Sequence, residues 1–162
     1  MEKYNPKFAK QLTDGERAEI ENMGYIEDIL GLKLKSASKK NRGSHFDYKS
    51  KDKTTIAELK DRIGLMISKN GNVVERKRPY LVLDTLFFDK CKLDYARGHP
   101  EFDAYIVWKV GNEFFVWKVN HNYGTDYYIE SDWNHDFGIG TKRPADVVNV
   151  FIDKCERYEI IS

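Results

Sequence analysis

Two strand-like runs, Phe102 to Val110 and Glu113 to Asn120, are separated only by Gly111-Asn112. A two-residue connection of this composition is suited to a tight β-hairpin turn. It also fixes which side chains oppose one another. Trp108 faces Phe115 and Ile106 faces Trp117, so aromatic and aliphatic groups pair across the strands. The near-repeat of Val107-Trp108-Lys109-Val110 in Val116-Trp117-Lys118-Val119 reflects two similar strands rather than a solenoid. With such cross-strand partners, Trp108 and Trp117 are expected in the core and not as base-stacking platforms.

The rest of the chain can enclose that hairpin. At 162 residues, with 41% apolar and 14% aromatic side chains, one domain over residues 1–162 is expected. Its core would span about 14–120, with an extension over 121–162. There is no apolar run of membrane-spanning length, and the start Met1-Glu2-Lys3-Tyr4-Asn5-Pro6 lacks the apolar stretch of a signal peptide. Cys91 and Cys155 lie far apart in charged surroundings, without the spacing of a zinc site or a disulfide framework. An intracellular, cytoplasmic setting is therefore the expectation.

Thr13-Asp14-Gly15-Glu16 has capping-box spacing and opens a helix to about Leu30, on which Ile20, Met23, Ile26 and Leu30 recur at helical intervals. Gly31 is its natural stop. A Lys/Ser-rich segment to Ser44 reads as a loop with room for a short edge strand. Phe46-Asp47-Tyr48 and Thr54 to Lys60 are strand candidates, the second β-branched at its start and largely apolar. Lys69-Asn70-Gly71-Asn72 marks a turn and Arg76 to Pro79 a charged connector. Asp84 to Ala96 fits a helix ended by Gly98, and Tyr80 to Leu83 either begins it or forms a separate strand. Tyr127 to Trp133 adds a strand. Pro144 is expected to start a C-terminal helix to about Tyr158, with Val147, Val148, Phe151, Ile152 and Cys155 on one face.

Within this frame one constellation carries chemistry. Hydrolysing a phosphodiester needs a nucleophilic water, neutralised phosphate charge and help for the leaving oxygen. A divalent cation supplies much of this when carboxylates hold it and leave positions open. Glu58 and Lys60 stand two apart on a strand and so project from one face. A carboxylate and a lysine on an apolar strand are costly unless paired or liganded. Asp47, eleven positions earlier, suits a hairpin or bent pair that returns it beside Glu58. The triplets Asp47-Tyr48-Lys49 and Glu75-Arg76-Lys77 show that the acid-x-Lys pattern alone carries little weight.

On Phe46-Asp47-Tyr48, Thr55-Ile56-Ala57-Glu58-Leu59-Lys60-Asp61-Arg62, the helix with Lys90-Cys91-Lys92, and the aromatic hairpin Tyr105 to Val119, the chain resembles the PD-(D/E)XK nuclease superfamily. It is most similar to the small versions carried by phages and large DNA viruses. The resemblance covers roughly residues 14 to 120. It implies an α/β (α+β), restriction-endonuclease-like αβββαβ core, with a mixed central sheet flanked by helices. It implies Asp47 and Glu58 as ligands of Mg²⁺ or Mn²⁺, the carbonyl of Leu59 as a further ligand, and Lys60 as the group that assists the water. A first-helix acid often joins such sites: Glu16, Glu19 and Glu21 are available, with Glu19 or Glu21 favoured. His45-Phe46 stands where the family's proline would precede Asp47.

The expected activity is that of a Mg²⁺-dependent DNA endonuclease, and the resemblance leaves room for a homodimer. The alternative is a catalytically inactive nuclease-like protein that binds nucleic acid or inhibits a host protein. Charge distribution fits nucleic acid. Residues 33–53 carry eight basic side chains against two acidic, in a chain of net charge +1. Lys39, Lys40, Arg42, His45 and Lys49 are the phosphate-contacting candidates. Tyr80, Lys90 and Lys92 are further groups within reach of a substrate, although helix-surface packing is the expected role of Lys92. His121-Asn122 and Asn134-His135-Asp136 lack a second histidine-bearing element for a histidine-metal site. Gly138-Ile139-Gly140 lacks the strand-to-helix setting of a phosphate cradle.

Overall fold

The computed structural model describes residues 14–36, 46–132 and 145–160. Among them are two helices, α1 (Asp14–Leu30) and α2 (Lys90–Gly98). The strands are β1 (Leu34–Ser36), β2 (Tyr48–Ser50), β3 (Thr55–Asp61), β4 (Leu65–Ile67), β5 (Val73–Glu75) and β6 (Thr85–Asp89). They continue with β7 (Asp103–Val110), β8 (Glu113–Lys118), β9 (Tyr127–Asp132), β10 (Ala145–Phe151) and β11 (Glu156–Glu159). The fold is α+β with a mixed central sheet. No described helix is long and apolar enough to cross a membrane.

The central sheet has the order β1-β2-β3-β7-β8-β11, with β3 and β7 parallel and the other neighbours antiparallel. Alternation along β3 divides its side chains between two cores. Ala57 and Leu59 join Tyr48, Val107, Phe114 and Val116 under Ala18 and Ile26 of α1. Ile56 faces the other way, with Ile106, Trp108, Phe115 and Trp117, toward Leu93 and Ala96 of α2 and Leu86, Phe88, Val148 and Val150. The last four belong to β6 and β10, which form a second sheet of order β6-β10-β9. β3 is thus covered on both faces, and its first five residues, Thr55 to Leu59, are all buried.

The hairpin has the expected register, with Trp108 opposite Phe115 and Ile106 opposite Trp117. Trp108 and Trp117 are both buried. Gly111 has φ +58°, and Asn112 is not among the residues of positive φ, so glycine occupies the first central position as a type II′ turn requires. Gly31 likewise ends α1 with φ +69° and donates its N–H to the Glu27 carbonyl. The 69–72 turn joins β4 and β5. Arg157 of β11 holds that turn by donating from Nη2 to the Gly71 carbonyl at 2.8 Å, while pairing with Glu113 at 2.7 Å.

Four local expectations are corrected. The C-terminal helix does not form: residues 145–151 are β10, a 3-10 turn spans Ile152–Lys154, and β11 pairs with β8. Val147, Val148 and Val150 are β-branched, and β10 lies between β6 and β9 with both faces covered, so apolar residues at helical intervals are incidental to a buried strand. Asn149, buried in that strand, is satisfied by Glu130 Oε1 at 2.9 Å. The helix expected from Asp84 begins only at Lys90. Thr85–Asp89 form a strand, with Leu86 and Phe88 inward and Phe87 outward. Tyr80 to Leu83 begin neither element, and Val82 makes an isolated bridge to Val74. On α1 the inward stripe is Ala18, Asn22 and Ile26, and Ile20 is exposed. Asn22 is accommodated because its amide donates to the Ala18 carbonyl at 2.8 Å. Thr13, Trp133, Asn134-His135-Asp136, Gly138-Ile139-Gly140 and Pro144 lie outside the described residues.

A Cβ on residue 111 would meet no heavy atom within 4 Å, so a Gly111→Ala change is opposed by backbone conformation alone. Gly111→Ala should lower stability by about 1 kcal/mol, measured as a shift in the urea midpoint without a change of slope.

Candidate active site

β3 carries Glu58 and Lys60 on the face turned toward α2, two positions apart on adjacent pleats. Glu58 is only 4% exposed. A carboxylate this deep needs partners for both oxygens. Oε1 accepts the Asp47 backbone N–H at 3.2 Å. Oε2 lies 3.1 Å from Lys60 Nζ and 3.4 Å from Lys92 Nζ. Both ammonium groups are mostly covered, so water screens these pairs less than it would at an open surface.

Asp47 immediately precedes β2, and the ladder to β3 pairs Tyr48 with Ala57 and Lys49 with Ile56. Beyond Tyr48 the side chain of Asp47 takes over, with Oδ2 accepting the Leu59 N–H at 2.8 Å. Asp47 is therefore tied to β3 twice, through its carboxylate and through its own N–H. A residue's N–H and C=O point to the same edge of an extended strand, so the Leu59 carbonyl also faces the Asp47 side. From α1, the Glu19 side chain hydrogen-bonds that of Asp47, and the Tyr48 hydroxyl donates to the Glu19 carbonyl. Glu21 is exposed.

The electrostatics follow from burial and crowding. Burial, the charge of Asp47 and a side-chain hydrogen bond with it raise the Glu58 carboxyl to about 7, against the pull of Lys60 and Lys92. Burial, then the hydrogen bond and charge of Glu19, raise Asp47 to about 7, against the Leu59 N–H and the Glu58 side chain. Burial also pushes the Tyr48 hydroxyl up, with the three acids adding to it. Glu19 thus opposes the ionisation of Asp47, and Asp47 that of Glu58.

Among the described residues no group of three or more His, Cys, Asp or Glu is arranged to hold a metal ion. A hard divalent cation needs less, since magnesium keeps several waters and takes one or two carboxylates plus substrate oxygens. Asp47 and Glu58 have the matching donor chemistry. Their raised affinity for protons is the behaviour of an anionic cluster short of positive charge, and a cation would reverse it.

Other candidates are placed as follows. Lys39, Lys40, Arg42 and His45 lie outside the described residues, as does the side chain of Glu16. Lys49, opposite Ile56, has its Nζ 4.9 Å from the centre of the Phe102 ring. Lys90 pairs with Asp94 on the helix surface at 3.1 Å, and Tyr80 and His121 are exposed. Lys92 reverses its expected role, because it points inward to Glu58. The signal was available in its helical position: Lys92 stands four before the buried Ala96 and shares its stripe. Arg62 extends the alternation of Glu58 and Lys60 by one further pleat. It donates to the Phe87 carbonyl at 2.7 Å, and its guanidinium lies over the Phe87 ring at 4.4 Å.

These shifts set a pH dependence. Carboxyls whose folded pKa exceeds the unfolded value hold protons the unfolded chain has released. Their stabilising contribution is present below about pH 4 and is lost as pH rises through about 7. In metal-free buffer, thermal midpoints of the wild type should fall between pH 5 and 8 more steeply than those of Asp47→Asn. A wild-type profile that rises over that range would contradict the crowded-acid description.

Comparison with protein-family models, with curated proteins and with solved structures finds no match to this chain, so the chemistry of the site rests on its own residues.

Proposed function

We propose that this protein is a metal-dependent nuclease that hydrolyses phosphodiester bonds of DNA, with Asp47, Glu58 and Lys60 at its centre. The observation that carries the proposal is Glu58. It is a carboxylate in the middle of a doubly covered strand, tied to Asp47 and flanked by two lysines. A purely structural position would be better filled by an apolar residue. The PD-(D/E)XK resemblance gains support from the order of elements. Helix α1, strands β1 to β3, helix α2 and strand β7 run in the sequence αβββαβ, with β4 to β6 inserted before α2. The four core strands are neighbours in that order, and β7 lies parallel to β3.

Asp47 and Glu58 would hold Mg²⁺ or Mn²⁺, with the Leu59 carbonyl on the same edge and Glu19 behind Asp47. The cation, when bound, supplies charge neutralisation and a more acidic water. Lys60 Nζ, fixed beside Glu58, orients the attacking water by a hydrogen bond. Lys92 brings a second positive charge to the same carboxylate and can turn to the substrate phosphate. Burial around Glu58 strengthens each of these interactions.

One observation favours a non-catalytic binding protein with the same scaffold. Glu58 Oε2 is already engaged by two ammonium groups, as a structural ion triad would be. That protein would bind nucleic acid or a protein partner with or without chelator.

The test is cleavage of labelled linear, branched and single-stranded DNAs and RNAs with Mg²⁺, Mn²⁺ or EDTA. Asp47→Asn, Glu58→Gln and Lys60→Ala should keep the wild-type circular dichroism and lose about 100-fold or more in rate. Cleavage at full rate by Glu58→Gln rejects the nuclease proposal. Mg²⁺ should also raise the thermal midpoint of wild type and not that of Glu58→Gln.

A further inference from the structure

We propose that the crossover segment between β3 and α2 is a stacking platform for an unpaired nucleic-acid strand leading to the Glu58 site. The inference names the substrate form for the proposed nuclease and rests on that proposal for its placement.

Seven large apolar side chains are exposed among the described residues, and four of them fall within residues 63–87. Ile63 and Tyr80 are each 77% exposed, Val82 60% and Phe87 37%. Four of the seven falling within one connection set this segment apart from single, scattered exposures. The backbone beneath them is braced. Arg76 donates from its N–H to the Gly64 carbonyl at 3.0 Å and from Nε to the Ile63 carbonyl at 2.8 Å. Arg78 grips Glu75 through two hydrogen bonds, of 2.9 and 3.1 Å, and Leu81 closes a turn onto the Arg78 carbonyl at 2.9 Å. Ile63 and Tyr80 are therefore presented by a folded support.

Charge identifies the occupant. Residues 62–83, bracketed by Asp61 and Asp84, hold five basic side chains against one acidic. Arg76-Lys77-Arg78-Pro79-Tyr80 is an unbroken exposed run. Exposed Lys77 precedes the open Tyr80 ring in sequence, as do the guanidinium N–H groups that Arg76 and Arg78 do not commit to Ile63 and Glu75. These add phosphate contacts to its π-face, the pairing that single strands use. A duplex presents only base edges in its grooves, and these have little use for an exposed tyrosine face. Position supplies the last link. Arg62, one pleat beyond Lys60, stacks on Phe87 and joins the catalytic strand to this surface.

The experiment is fluorescence anisotropy of the full chain in EDTA, with a labelled 15-nucleotide single strand and a blunt duplex hairpin of the same sequence. Tyr80→Ala and Ile63→Ser alter exposed side chains, and circular dichroism verifies their folds. Tyr80→Ala should weaken single-strand binding about tenfold and change duplex binding less than twofold. It should also abolish quenching of a 2-aminopurine placed in the strand. Equal single-strand affinity in wild type and Tyr80→Ala, equal losses on both substrates, or no single-strand binding by wild type overturns the platform. The two proposals separate cleanly. Tyr80-dependent binding without any cleavage retains the platform and removes the nuclease. Metal-dependent cleavage with no Tyr80 effect on binding does the reverse.

Discussion

Parallel neighbours cannot be joined by a hairpin, so the chain leaving β3 at Asp61 must depart from the central sheet and return before Asp103. The seven register pairs between β3 and β7 make that departure obligatory. What the chain does on the way determines the rest of the molecule. It builds the β4–β5 hairpin, lays down β6 for the second sheet, and folds α2 over the face of β3 that carries Glu58. Lys92 and the Arg62–Phe87 stack are consequences of this one connection. The parallel pair also buries β3 on both faces, and that burial makes an ionisable group in its centre expensive.

The way Glu58 is accommodated differs from an ordinary buried ion pair. Two lysines and a backbone N–H satisfy its oxygens, yet burial and the neighbouring Asp47 still hold its carboxyl near neutrality. Asp47 has the same problem with Glu19 at its back. Removing the lysines would push the Glu58 carboxyl further up, and removing the acids would leave largely covered ammonium groups without their partner. The cluster is internally balanced only in part. The remaining imbalance raises its affinity for protons.

Legibility in the sequence followed the range of the interactions. The hairpin turn, the stop at Gly31 and the return of Asp47 to Glu58 are local, and each was readable from a few residues. Asp47 beside Glu58 needed only a short bend between two strands. Glu19 could not be separated from Glu21 by composition, because the rotation of α1 is set by packing, with the polar Asn22 on the buried stripe and Ile20 outside it. The C-terminal misreading has the same origin. Val147, Val148, Phe151 and Cys155 suit a helix face, and only pairing with β6 and β9 makes them a strand. Lys92 was missed because a lysine on a short helix usually points to solvent, whereas the crossover turns this helix toward a buried acid.

The tie between Arg157 and the Gly71 carbonyl spans 86 residues. Its consequence lies in the order in which the protein can assemble. A ribosome releases β4, β5 and the hairpin turn long before it makes β11, and the Arg157 clamp on that turn cannot close until the later strand docks on β8. A contact at this separation must first meet the entropic cost of closing the loop between its ends. The 69–72 turn therefore gains its Arg157 contact only once β11 has docked on β8.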